Sequence, residues 1–143
     1  MAFREDISGL FDEYDEASTC DDAEVFSRLC DQVSLLQTPI GNFSIERQAV
    51  RDHCVTPMDF YRRENIVRPE GKLISATELF PNVAQACMAY RMFGEGDELV
   101  AEWEHVYILP RSDRWRVSLT IADRKWPHGS PKPYNFNRKR NNL

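Results

Sequence analysis

His105 lies in the run Glu102-Trp103-Glu104-His105-Val106-Tyr107, where strand alternation places Trp103, His105 and Tyr107 on one face. An imidazole titrates near neutrality and can take up or return a proton, so a histidine between two aromatic rings is a candidate general acid or base. Alternation groups Leu99, Ala101 and Leu109 with that set and puts Glu102, Glu104, Val106 and Ile108 opposite. The more aromatic set is the expected inner face, unless a bulge reverses the parity around Glu104. Tyr14 is the second candidate, because a phenol held in an apolar hollow can donate to an oxygen on which charge develops. Both residues also have a plainer reading. Tyr14 continues an apolar helix stripe, where a core tyrosine with a satisfied hydroxyl is common, and a strand histidine can be hydrogen-bonded within its sheet and do no chemistry.

Other chemistries find little support in the sequence. His53 follows Arg51-Asp52 on an expected helix and His128 lies near the C-terminus, and no spacing brings the three histidines together. Cys20, Cys30, Cys54 and Cys87 form no C-x-x-C pair, so they read as reduced thiols, and no metal site is expected. There is no glycine-rich phosphate loop, no Gly-x-Ser-x-Gly elbow and no Cys-His signature, so neither a cofactor nor covalent catalysis is expected. Phe60-Tyr61-Arg62-Arg63-Glu64 combines aromatic bulk with two cations, which suits either the rim of a ligand site or a solvated helix end.

These residues need elements to hold them. The chain has 143 residues, the size of one domain, with 42% hydrophobic and 29% charged residues, a soluble globular composition. A net charge of -5 argues against general nucleic-acid binding. No apolar run approaches the roughly 20 residues of a membrane span, and the N-terminus is acidic and amphipathic, so a cytoplasmic protein without membrane contact is expected.

Phe3, Ile7, Leu10, Phe11 and Tyr14 predict a first helix, with Glu5, Asp6, Asp12, Glu13 and Asp15 on its wet side. Asp21 with Glu24 resembles a capping box for a second helix over 22–31. Val33 to Thr38, stopped by Pro39-Ile40-Gly41, reads as an edge strand. Ser44 caps a third helix to about Cys54, and Thr56-Pro57 starts a short fourth. Arg68-Pro69-Glu70-Gly71 reads as a turn. Strands then follow over 72–80, 83–93 and 98–109, and a last one places Trp115, Val117, Leu119 and Ile121 on a single core face. Residues 126–143, rich in Pro, Asn and basic residues including Arg138-Lys139-Arg140, form a tail beyond a domain of residues 1–125.

Helices first, then a run of strands, is an α+β order: a cone-shaped, curved antiparallel sheet wrapped around N-terminal helices, with an apolar hollow between them. At this level the chain resembles the nuclear transport factor 2-like superfamily, whose members include ketosteroid isomerases, SnoaL-like polyketide cyclases and scytalone dehydratases. The resemblance covers residues 3 to about 125. It is carried by Glu13-Tyr14, Asp21-Asp22-Ala23-Glu24-Val25-Phe26 and Gln37-Thr38-Pro39-Ile40-Gly41, and by Asp113-Arg114-Trp115-Arg116-Val117 near the end.

The resemblance implies that Tyr14 matches the tyrosine that donates to the enolate oxygen in the isomerases, and Glu104 their second acid. Thr38 stands where the isomerases carry their base aspartate, and a neutral hydroxyl cannot replace it unaided. The expectation is therefore a SnoaL-like domain that binds a small hydrophobic or aromatic ligand. Tyr14, His105 and Glu104 are its candidate catalytic residues, for isomerase, cyclase or dehydratase chemistry. Phe11, Thr38, Phe60, Trp103, Tyr107 and Trp115 are its candidate lining. The other reading is a noncatalytic module that dimerises or binds protein; the apolar residues Val106 and Ile108 opposite Trp103 and Tyr107 predict a homodimer through the outer sheet face.

Overall fold

A computed structural model describes residues 2–19, 22–38, 41–49 and 64–122. The apolar stripe of the N-terminal segment forms α1 (Ala2–Thr19) and buries Ile7, Leu10, Phe11, Tyr14 and Ala17. The next helix, α2 (Ala23–Arg28), is shorter than its sequence spacing suggests. Its N-cap is Asp22 rather than Asp21, with the Asp22 carboxylate accepting from the Val25 N–H at 3.1 Å. It stops at Leu29 because β1 (Cys30–Thr38) begins at the next residue.

Four further strands, β3 (Arg68–Phe80), β4 (Val83–Phe93), β5 (Leu99–Pro110) and β6 (Val117–Ala122), join β1 and β2 (Gly41–Glu46) in one sheet of order β2-β1-β6-β5-β4-β3. The α+β class holds. All neighbouring pairs are antiparallel except β1 with β6, which makes the sheet mixed. The helices lie on one face, where α1 packs on β3 and α2. The inward residues of β4 and β5, Ala84, Ala86, Met88, Tyr90, Met92, Ala101, Tyr107 and Leu109, complete the core. The alanines contribute little volume, so the filling comes from Ile7, Leu10, Phe11 and Tyr14 of α1.

Several sequence expectations are corrected here. The segment from Val33 to Thr38 is no edge: β2 covers one side of β1 and β6 the other. Ser44 does not cap a helix but pairs with Leu35 in β2, and helical backbone begins only at residues 47–49. The alternation Asn42, Ser44, Glu46 against Ile45 was the strand signal there. Arg68–Gly71 is not a turn but the start of β3, paired with Phe93 to Tyr90; β3 is an edge strand of the sheet, a place where proline is tolerated. The short helix expected after Thr56, His53, Phe60 and the tail at 126–143 with His128 lie outside the described residues.

The last strand also departs from simple alternation. Trp115 and Val117 are buried, yet Leu119 and Ile121 pair with Ile108 and Val106 on the outer face. The register between β1 and β6 shifts between Cys30↔Val117 and Leu35↔Leu119, and this irregularity reverses which side chains face the core. Phe11→Ala is expected to lower the unfolding free energy by about 3–5 kcal/mol, since it empties the space that the inward alanines cannot fill. Denaturant titration measures it, and a loss below about 1 kcal/mol would mean that α1 is not the main filler of this core.

Candidate functional site

Asp15 follows Tyr14 on α1, half-buried and turned toward the sheet rather than the solvent side that its helix position suggested. The Tyr90 hydroxyl on β4 donates to Asp15 Oδ1 at 3.1 Å. That hydroxyl lies 3.2 Å from the Tyr107 hydroxyl on β5, which in turn lies 3.1 Å from His105 Nδ1. A continuous polar chain therefore runs from a helix carboxyl through two phenols to an imidazole, across three elements.

Local sequence explains why each member is there. Tyr107 and His105 share the inward face of β5, because the β4–β5 register is unbroken from Ala101 to Pro110. Tyr90 comes from the inward face of β4, opposite Trp103, with ring centroids 6.2 Å apart. Gly71 is the partner of Tyr90 on β3, and a Cβ at that position would overlap both Asp15 Oδ2 and the Tyr90 ring. A side chain there would push the carboxyl away from the phenol, so the absence of one is what lets α1 seat Asp15 against the strand.

Burial moves two of these groups far from their ordinary values. Asp15 is pushed up to about 7, chiefly because its charged form is poorly solvated; the Tyr90 hydrogen bond opposes the rise and the charge of Asp12 adds to it. Burial, with the proximity of Tyr107, Asp15 and Tyr14, holds the Tyr90 phenol well above its usual range, so it stays protonated and able to donate. A carboxyl poised near neutrality can act as acid or base at physiological pH.

Of the sequence candidates, Tyr14 and His105 enter this region. Tyr14 is buried with its ring 4.5 Å from Phe26, 5.8 Å from Phe11 and 5.9 Å from Tyr107. His105 is half-buried among Trp103, Tyr107 and Tyr90, with centroids 5.9, 5.7 and 5.7 Å away. Glu104 is exposed on the opposite face, beside Ala89, because no bulge interrupts the alternation of β5 there. Phe11 packs on Tyr107 at 4.8 Å, and Trp103 borders His105. Trp115 is buried against Phe3, at the other end of α1 from Tyr14 and Asp15. The Thr38 side chain and Phe60 lie outside the described residues.

The residues that sequence reasoning missed are Asp15 and Tyr90. Asp15 was one acid among several on a wet helix face. The available signal was Gly71, a glycine inside a strand, which marks a close approach of another group. Among the described residues, no three His, Cys, Asp or Glu side chains gather as a metal site would require, and no helix is long and apolar enough to cross a membrane.

The chain matches no protein-family model and no curated protein. Solved structures do resemble it. A domain of unknown function with a cystatin-like fold from Nostoc punctiforme superposes with a TM-score of 0.69 at 14% identity, over 97% of this chain and 82% of that one. An NTF-2 like protein of unknown function from Shewanella oneidensis gives 0.65 at 11% identity, over 83% and 97%. A protein of unknown function from Mycobacterium tuberculosis gives 0.67 at 15% identity, over 91% and 76%. The fold is thus nuclear transport factor 2-like, or cystatin-like, and these neighbours carry no function with it.

The raised carboxyl has a consequence for stability. In the unfolded chain Asp15 releases its proton near pH 3.8, while in the folded protein it does so at about 7. The proton that the native state retains stabilises it fully below about pH 4, and this contribution is lost as pH rises through 7, by a few kcal/mol at most. The stability of Asp15→Asn relative to the unsubstituted protein is therefore expected to improve progressively from pH 4 to pH 8, measured by urea unfolding. A difference independent of pH would contradict the raised value.

Proposed function

We propose that this domain binds a small hydrophobic or aromatic molecule against the inner face of its sheet and moves a proton on it, as isomerases, cyclases and dehydratases do. The observation that carries the reading is the Asp15–Tyr90–Tyr107–His105 chain, which links a carboxyl pushed up to about 7 with an imidazole among aromatic rings. Structural ion pairs and helix contacts would not require a carboxyl to be drawn under a strand glycine into contact with a phenol; a proton-transfer site gains a group of matched acidity from it. His105 is the proposed proton acceptor, with Tyr14 as a phenol able to donate to a ligand oxygen. Glu104 takes no part, since its carboxylate faces away.

A neutral aromatic alcohol, 2-naphthol, and an unsaturated ketosteroid serve as probes. Saturable shifts of the Trp103, His105 and Tyr107 amide resonances are expected with either, and no saturable response to both would contradict ligand binding at this face. The isomerases' aspartate position holds Thr38, so turnover of the ketosteroid is expected to be slow or absent. Any turnover that occurs should fall by about a hundredfold to ten-thousandfold in His105→Ala. Rapid turnover that persists in that variant would contradict the role given to His105.

A second reading has its own observation. The outer sheet face carries an apolar stripe in two adjoining rows, Leu35–Leu119–Ile108 and Ile121–Val106–Cys87, with Leu35 at 51% and Val33 at 48% exposure. A stripe of this kind on a sheet face suits a second copy of the chain, and it leaves the inner face accessible to a ligand. Light scattering at high micromolar concentration is expected to give the mass of a dimer, and Leu35→Lys with Ile121→Lys the mass of a monomer. A monomer without substitution would count against it.

A further inference from the structure

The hydrogen count along the polar chain fixes more than proximity. Tyr90 has one hydroxyl hydrogen, and it is given to the Asp15 carboxylate. The contact between the two phenols then requires Tyr107 to donate to the Tyr90 oxygen, which uses the single Tyr107 hydrogen. The Tyr107 oxygen, 3.1 Å from His105 Nδ1, is left as an acceptor, and the hydrogen of that contact must sit on the imidazole. With Asp15 ionised, each bond thus dictates the direction of the next, beginning at a carboxylate that can only accept.

We propose that Asp15, acting through Tyr90 and Tyr107, fixes the neutral tautomer of His105 with its proton on Nδ1, and so makes Nε2 the nitrogen that accepts a proton from a ligand. This deepens the reading of the site as a proton-transfer centre and rests on it only for the identity of the proton donor. Asp15 and Tyr90 are positioning residues in this account, because they act on His105 through Tyr107 and need not touch a ligand. The step balances without a co-reactant. When Nε2 takes a proton the ring becomes an imidazolium, its Nδ1–H still donates to Tyr107, and the positive charge faces the Asp15 carboxylate through two aligned phenols. Return of the same proton from Nε2 restores the starting state.

The tautomer is read directly from the nitrogen chemical shifts of His105 in uniformly 15N-labelled protein, in the absence of any ligand. At pH 8.5 the Asp15 carboxyl, which titrates at about 7, is ionised. The protein is expected to show Nδ1 as the protonated and Nε2 as the unprotonated nitrogen, the less common tautomer of a free imidazole. Tyr90→Phe keeps the ring and removes the relay, which frees the Tyr107 hydrogen to turn toward Nδ1. The ratio of the two tautomers should then shift by about tenfold or more toward Nε2–H. Tyr107→Phe, which removes the last acceptor, should shift it in the same direction, and amide spectra of both variants report whether the fold is kept. Protonated Nε2 in the unsubstituted protein, or an unchanged ratio in the two variants, would overturn the proposal. Because the readout needs neither ligand nor turnover, failure of the probe titrations would bear on the function alone and leave this result standing.

Discussion

A carboxyl group withdrawn from water must either keep its proton or be supplied with donors, and in this domain that requirement falls on Asp15. The helix that carries it is pressed against the sheet by Ile7, Leu10, Phe11 and Tyr14, so the position of the carboxyl is fixed by hydrophobic packing and not by its own preference. Gly71 gives it room, and Tyr90 gives it a hydrogen bond. The rest of the inner face follows from that contact, since Tyr107 and His105 continue the hydrogen-bond chain toward the half-buried side of β5.

β5 serves two surfaces at once. Trp103, His105 and Tyr107 face the helices, while Val106 and Ile108 between them form part of the outer apolar stripe with Ile121 and Leu119. A slip of one residue would exchange the two sets, taking the polar chain apart and exposing the aromatic rings together. The unbroken β4–β5 register from Ala101 onward prevents this, and the irregularities of the sheet fall elsewhere, at β3, at Met92/Phe93 and between β1 and β6.

Much of the architecture was legible from periodicity. The stripe of α1 and the strands around Val83–Phe93 and Leu99–Pro110 could be read from spacing, because each buries one continuous face. What could not be read depended on partners distant in sequence. β1 becomes an interior strand only because β6 returns beside it in parallel, and β6 loses its alternation only because of the register shift in that same pair. The site divides in the same way. His105 and Tyr107 were visible as neighbours on one strand face, and Tyr14 as part of a helix stripe. Asp15 and Tyr90 lie 75 positions apart, and nothing local distinguishes Asp15 from Asp12 or Glu13 beside it. Only the close approach at Gly71 left a trace in the sequence, and its meaning depends on which helix crosses it.

The central claim is that a carboxyl on α1 has been drawn into the chain of phenols and imidazole and holds its proton to near neutrality. Its most direct test is the side-chain carboxyl 13C resonance of Asp15 followed against pH in the intact protein. The account predicts a midpoint near 7, moving together with the resonances of Tyr90. A midpoint in the ordinary carboxylate range near 4, with Tyr90 unresponsive, would show a solvated helix acid and would contradict the site as described.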